Sequence, residues 1–485
     1  MLGKAKLKLE LQTGRANLDG GSGSVWSSSF SLPFEEGKLK LELRTYLAGL
    51  IDALVGAHYV LCHAGTLEAC APRPWNLKMN KLLLTTVTAG LLLLAPGARF
   101  SSARTEKDLV ASIERVKLHD GRTGSPTWFI PRVCLIPGRR DPTALMVLQT
   151  ISGSDYYGPV HWRESTDNGQ SWSEARPIPG FGRRPFKGEI EEAVSDVVPQ
   201  YHALAKRMIA LGEIIYYRDG RYFPEQPPRY PVYLTRDARG HWSERQKLEW
   251  NDPRGSAIYS TGSSQYLVLK NGDLLLPICF RSTERPDYGV TTLLCSFDGR
   301  TIRVKQTGNE LRNPVKRGLL EPQLTSFDDR YLLTIRAEDG SGYLSTSTDG
   351  LHWSEPVSWK WQDGEPLAMS TTQQHWVTHS DGLYLAYTRK AEENVNVMRW
   401  RAPLYLAQVD RATLRLARST ERVVFPLIGD GLNDPTHVAH YGNFHVTNIS
   451  PRETWITCGE VIPANFRGDL WLARVQWAAP NRLMK

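Results

Sequence analysis

One eight-residue stretch constrains this chain more than any other. Ser165-Thr166-Asp167-Asn168-Gly169-Gln170-Ser171-Trp172 fits the pattern Ser-x-Asp-x-Gly-x-x-Trp at every defined position. Asp bonds nearby backbone and Gly tolerates positive φ, so the pair closes a tight turn between two strands. The Trp then folds back as a large apolar plug. A single Asp-Gly turn beside an aromatic is common, but here there are relatives. Ser347-Thr348-Asp349-Gly350-Leu351-His352-Trp353 is one residue shorter, Thr235–Trp242 is looser, and Ser296-Phe297-Asp298-Gly299 lacks the Trp. The Trp-bearing copies are each followed at once by Ser-Glu.

A degenerate repeat at long, unequal intervals is the trace left by the blades of a propeller, each Trp plugging the gap to a neighbour. Gly 40, Pro 30 and Trp 15 suit a turn-rich β protein. Short β-rich runs bounded by turn residues include Ala144–Thr150, Leu274–Phe280, Tyr331–Ile335, Gly382–Thr388 and Thr454–Cys458, with Gln265–Leu269 preceding an Asn271-Gly272 hairpin signal. Only Ile190–Arg207 hints at a helix or long insertion, and Pro199 argues against one continuous helix. The expected fold is all-β, a six-bladed β-propeller of four-stranded antiparallel blades over residues 104–485, with seven blades joined by shorter loops as the alternative.

The net charge of +8 is mild for 485 residues, and no dense Lys/Arg run is interleaved with aromatics, so a nucleic-acid partner is not expected. A basic balance does suit an anionic ligand. Residues 79–103 read as a secretory signal peptide: Met79-Asn80-Lys81, an apolar core over 82–95, then small residues near Ala98 to Ala103. The apolar run is short for a membrane span, so no stable span is expected in the mature form, and the expected location is secreted or periplasmic. An uncleaved anchor or buried strand is the alternative. Residues 1–78 carry a duplicated Lys-Leu-Lys-Leu-Glu-Leu, at 6–11 and 38–43, separated by Gly/Ser-rich sequence. They read as a low-complexity extension ahead of a start at Met79. Cys134, Cys279, Cys295 and Cys458 would remain in the mature chain, open to a disulfide between Cys279 and Cys295 or between Cys134 and Cys458.

With these turns in place, residues 120–460 resemble the sialidase (neuraminidase) family of exo-glycosidases. That resemblance implies a six-bladed propeller, three arginines, a tyrosine–glutamate pair and an aspartate. The first arginine belongs to a Phe/Tyr-Arg-Ile-Pro strand. Phe129-Ile130-Pro131-Arg132 has those ingredients with the arginine moved beyond the proline, so Arg132 is the match and Arg122 a substitute. Asp155, in Gly153-Ser154-Asp155-Tyr156-Tyr157-Gly158, falls where the acid/base aspartate belongs. Glu321-Pro322-Gln323-Leu324, followed by the strand ending at Arg336, reproduces the glutamate and second arginine. Arg401 is the third arginine, with Arg399 as its competitor, and Tyr441 in His440-Tyr441-Gly442-Asn443 is the nucleophile.

The implied chemistry is coherent. A sialic acid carries a carboxylate on its anomeric carbon, which guanidiniums bind by charge-assisted, partly bidentate hydrogen bonds. A neutral tyrosine attacks without like-charge repulsion, and a glutamate takes its proton. In this expectation Glu321 serves Tyr441, Asp155 is acid/base, and Arg132, Arg336 and Arg401 hold the carboxylate. Sialylated or other acidic glycans are the expected partners, with no cofactor and no metal. Two readings compete. A glycosidase or lyase for another acidic sugar would draw on His161 or on His437, His440 and His445, since His437, Tyr441, Asn443 and His445 would share one face of a strand. A carbohydrate-binding propeller would keep the turns and lack the chemistry.

Overall fold

The computed structural model describes residues 108–138 and 141–484. The low-complexity segment 1–78 and the leader expected over 79–103 lie outside them. No helix among the described residues is long and apolar enough to cross a membrane.

Six antiparallel sheets form a six-bladed propeller, most with four principal strands. Blade 1 runs Trp128–Ile136, Thr143–Gly153, His161–Ser165 and Arg176–Pro177 from axis to rim. Blade 2 follows with Ile190–His202, Arg207–Arg218, Pro231–Arg236 and Gln246–Lys247, blade 3 with Ile258–Ser260, Leu274–Arg281, Gly289–Phe297 and Ile302–Thr307. Blade 4 comprises Leu320–Phe327, Arg330–Arg336, Gly342–Ser347 and Val357–Ser358, and blade 5 His375–His379, Gly382–Tyr387, Leu404–Val409 and Arg422–Phe425. Blade 6 takes Phe444–Ser450, Glu453–Gly459 and Leu470–Trp477 from the end of the chain, and its rim strand, Val110–His119, from the beginning. Ile113 pairs with Val475 and Arg115 with Ala473, so this shared blade closes the ring and leaves it no free end.

The core is divided among the gaps between blades. Leu145, Val147, Val194 and Met208 fill the gap between blades 1 and 2; Leu333, Ile335, Leu275 and Val290 fill that between 3 and 4. Val133, Met146, Trp455 and Leu472 do the same between blades 1 and 6. The Asp-Gly turns serve these gaps, as their sequence suggests. Asp167 accepts from the N–H of Ser171, Asp237 from Arg239 and His241, Asp298 from Arg300 and Thr301, and Asp349 from Leu351 and His352. Each following Trp reaches the preceding blade. Trp172 meets Trp455 at 6.1 Å, Trp242 meets Trp162 at 6.0 Å, and Trp353 donates its indole N–H to Thr292 at 2.9 Å.

Two expectations are corrected here. Ile190–His202 is the axial strand of blade 2, not a helix; Pro199 is tolerated because Arg184–Lys187 pairs with the second edge only over Ile190–Glu192, leaving that edge open at Pro199. Cys134, Cys279, Cys295 and Cys458 are all free and buried. Cys279 and Cys295 lie on paired strands but out of register, Cys279 opposite Val290 and Cys295 opposite Leu274.

Candidate functional site

Three axial strands break their ladder in the same way. Phe129 pairs with Gln149 and Arg132 with Val147, leaving Ile130-Pro131 as a bulge. Asp196-Val197 bulges in blade 2 and Glu321-Pro322 in blade 4. The first bulged residue has positive φ in each: 52° at Ile130, 57° at Asp196 and 45° at Glu321. Such a kink re-aims a side chain that a flat strand would point elsewhere, and non-glycine residues hold it only at a cost of roughly 1–3 kcal/mol each. In blade 4 the result is Glu321 Oε1 accepting from Arg336 Nη1 at 2.7 Å. Arg336 is buried, and its Nε donates to Thr371 Oγ1 at 3.1 Å.

Two further guanidiniums join Arg336. The turn Met398–Trp400 puts Arg399 and Trp400 at φ of 55° and 47°, delivering Arg399 and Arg401 beside Arg336. Among the described residues neither Arg399 nor Arg401 has a hydrogen-bonding or ion-pairing acid. Burial lowers the Arg401 pKa to about 10, with repulsion from Arg399 and Arg336 adding to it. Arg399 is lowered for the same reasons, by burial and then by Arg336 and Arg317. Arg401 Nε, Thr372 Oγ1 and His440 Nε2 are buried polar atoms without a hydrogen-bond partner. Burial, and then Arg401 and Arg399, depress the His440 imidazole to about 4, so it is neutral near pH 7. Concentrated positive charge with unpaired buried donors is an anion site.

Acids stand on blades 1 and 2. Asp196 Oδ1 accepts from Arg132 Nη2 at 3.0 Å and from Ser263 Oγ at 2.7 Å. Glu213 accepts from Arg229 Nη2 at 2.5 Å and from the Ser260 hydroxyl. Burial pushes the Glu213 carboxyl up against the opposing pull of Arg229, and Asp196 and Glu321 push the same way. Exposed Asp155, at φ 50°, accepts from the Tyr157 hydroxyl at 3.0 Å. The phenol of Tyr157 is raised well above its ordinary value by burial, then by Asp155 and Asp196, and its charge would be felt at Arg401.

The sequence-derived set therefore divides. Glu321, Arg336 and Arg401 come together, with Arg399 beside them, while Asp155 is paired with Tyr157. Arg132 does not join them: only 1% exposed, it is spent on Asp196, Ser263 and the Val197 carbonyl. With Ile130-Pro131 aligned to the Arg-Ile-Pro pattern, the residue in the arginine's place is Phe129, whose ring stacks on Tyr157 at 6.1 Å. Arg122, the substitute, pairs with Glu460 at 2.5 Å. Tyr441 is 1% exposed, packs on Phe425, and donates its hydroxyl to the Pro426 carbonyl at 2.9 Å. The structure does not bring it to Glu321. Nor do His437, Tyr441, Asn443 and His445 share a strand face, because the strand begins only at Phe444 and His437 ends a short 3-10 turn.

Glu213 and Arg229 carry no motif. Glu213 left one trace, a lone carboxylate inside the apolar run Met208–Ile215.

The site is thus built by a kinked axial strand that turns Glu321 onto Arg336 and by a turn that adds Arg399 and Arg401. No family profile matches the chain, and no curated protein matches it. Solved structures do. Trypanosoma rangeli sialidase in complex with sialic acid aligns with TM-score 0.54 at 14% identity, covering 76% of this chain and 59% of that one. Hadza microbial sialidase Hz136 aligns with TM-score 0.51 at 14% identity, covering 76% and 69%. The chain thus spans less than two thirds of the trypanosomal protein, and the likeness shows the fold they share.

Proposed function

We propose that this protein is an exo-acting glycoside hydrolase that grips a terminal acidic sugar by its carboxylate, with α-linked sialic acid as the first candidate. The observation that carries the reading is the gathering of Arg336, Arg399 and Arg401, two of them without an acid partner. Keeping these charges together unneutralised disfavours the empty site, and a bound carboxylate relieves it. Acids on blades 1 and 2 complete the chemistry. Glu213, whose pKa burial raises against the pull of Arg229, is assigned as the proton donor to the leaving oxygen, and Asp155 serves as an acceptor. If residues 79–103 act as a leader, the enzyme works on glycans outside the cell.

The position of Tyr441, away from Glu321, favours a second reading in which the same arginines bind an acidic glycan without cleaving it. One experiment separates them. The full chain is incubated with the 4-methylumbelliferyl α-glycoside of sialic acid, beside Arg401→Ala. Hydrolysis is expected, reduced roughly 100-fold in the variant by the loss of a charge-assisted contact. Saturable binding of sialyllactose with no fluorophore release would establish the binding propeller. Neither binding nor turnover would end both readings.

A further inference from the structure

Tyr157 is anchored on every side but one. Its N–H donates to Tyr217 Oη at 3.0 Å, and its carbonyl accepts from Arg183 Nη2 at 2.7 Å. Arg183 is held in turn over the rings of Tyr156 and Tyr217, at 4.4 and 4.7 Å. The Tyr157 ring stacks on Phe129 with an interplanar angle of 19°. Only the hydroxyl is left to a group on the exposed face, Asp155 Oδ1 at 3.0 Å. A rigid phenol whose proton already points at a carboxylate is the arrangement an activated nucleophile needs. Tyr441 has no such partner, since a main-chain carbonyl accepts a hydrogen bond but does not take the proton.

We infer that Tyr157 is the catalytic nucleophile of the proposed acidic-sugar hydrolase, with Asp155 as its base, so that the reacting phenol is delivered from blade 1 and not from the segment before blade 6. This rests on the hydrolase reading above. In the first step Tyr157 Oη bonds to the anomeric carbon and its proton passes to Asp155. The glycosidic C–O bond breaks, and the leaving oxygen departs with the bonding pair and takes the Glu213 proton. In the second step water attacks the anomeric carbon and gives a proton back to Glu213, while the C–O bond to Tyr157 breaks and the phenolate recovers its proton from Asp155. Two displacements at one carbon retain its configuration. Phe129 has a role in this scheme: standing where the resembling pattern has an arginine, it supplies the flat surface against which the phenol is held, and Arg399 makes up the lost guanidinium.

The test is covalent trapping with 2,3-difluorosialic acid, the compound seen as a covalent intermediate in Trypanosoma rangeli sialidase. With this probe the C–F bond at the anomeric carbon breaks and fluoride leaves, so no acid is required. The full chain is labelled, digested and mapped by mass spectrometry beside Tyr157→Phe and Asp155→Asn. The expected result is an adduct on Tyr157, absent in Tyr157→Phe and formed at least roughly 10-fold more slowly in Asp155→Asn. Turnover of the aryl sialoside should fall roughly 1,000-fold or more in Tyr157→Phe, with the melting temperature showing that the variant folds. An adduct on any other residue, Tyr441 included, overturns the inference. So does turnover by Tyr157→Phe within about 10-fold of the parent. Turnover by the parent with no tyrosine adduct sinks it while leaving the hydrolase reading standing. A folded parent that neither turns over nor labels overturns that reading, and this inference with it.

Discussion

The main-chain N–H of Tyr441 donates to the carbonyl of Arg401 at 2.8 Å, yet the two side chains part from there. The Arg401 guanidinium turns toward Arg336 and Arg399, while the Tyr441 phenol enters the core shared by blades 5 and 6. Backbone adjacency therefore places the Tyr441 main chain beside Arg401 and leaves its hydroxyl elsewhere. Replacing it by Phe removes one hydrogen bond to Pro426, at a cost of about 1 kcal/mol. Tyr441→Phe is expected to melt slightly lower and to hydrolyse an aryl sialoside within about 2-fold of the parent, since the hydroxyl it removes touches no group of the site. A variant with parental stability and no turnover would return this phenol to the chemistry.

Gly442 tests the same junction from the other side. A Cβ there would stand 2.8 Å from Arg401 Nε, 2.9 Å from its Cδ and 3.0 Å from Thr372 Oγ1. The first neighbours belong to a flexible side chain, so Arg401 would give way and the backbone would hold. Gly442→Ala is thus expected to raise KM for an acidic sugar by roughly 10-fold or more while moving the melting temperature little, because carboxylate binding depends on guanidinium placement. An unchanged KM would mean that Arg401 does not contact substrate.

The sequence disclosed what repeats and hid what converges. Asp167, Asp237, Asp298 and Asp349 announce their turns locally, because each closes its loop through backbone a few residues away. Glu321 and Arg336 were legible for a similar reason: they face one another across a single hairpin. Arg132 and Tyr441 stand apart from Glu321 and Arg336 because a bulge or a loop exit decides where a side chain points, and neither leaves a periodic mark. The Ile130-Pro131 bulge lets Phe129 stack on Tyr157 and sends Arg132 to Asp196. Glu213, paired with Arg229, meets Ser260 only through tertiary packing of blades 2 and 3, which no local pattern encodes.

The cysteines give a clean thermodynamic check. Burial pushes the thiols of Cys134, Cys279 and Cys295 up to about 12, and Cys458 well above its ordinary value. Thiolate is the reactive form, so the folded protein should resist alkylation at neutral pH and release these thiols only in denaturant. Adding reductant should leave the melting temperature of the described domain unchanged. A fall of several degrees would reveal a disulfide and contradict the observed strand register.

Acid should unfold the propeller through its buried histidines. His440 is depressed to about 4 by burial and by Arg401 and Arg399, and His445 to about 3 by burial and Arg132. His375, at 5.4 Å from His445, is lowered well below its ordinary value by burial, His445 and Arg132. In the unfolded chain each titrates near pH 6.5, so between there and the folded value the unfolded state binds more protons. Their contribution is therefore complete above about pH 6.5 and is lost as pH falls toward 4 for His440 and 3 for His445. For His440 alone this amounts to about 3 kcal/mol, a large share of a typical folding free energy. Urea unfolding of the parent should weaken steeply between pH 6.5 and 4, and His445→Gln should flatten that slope, because glutamine has no proton to gain. Parallel slopes for the parent and the variant would place the acid sensitivity in the carboxylates instead.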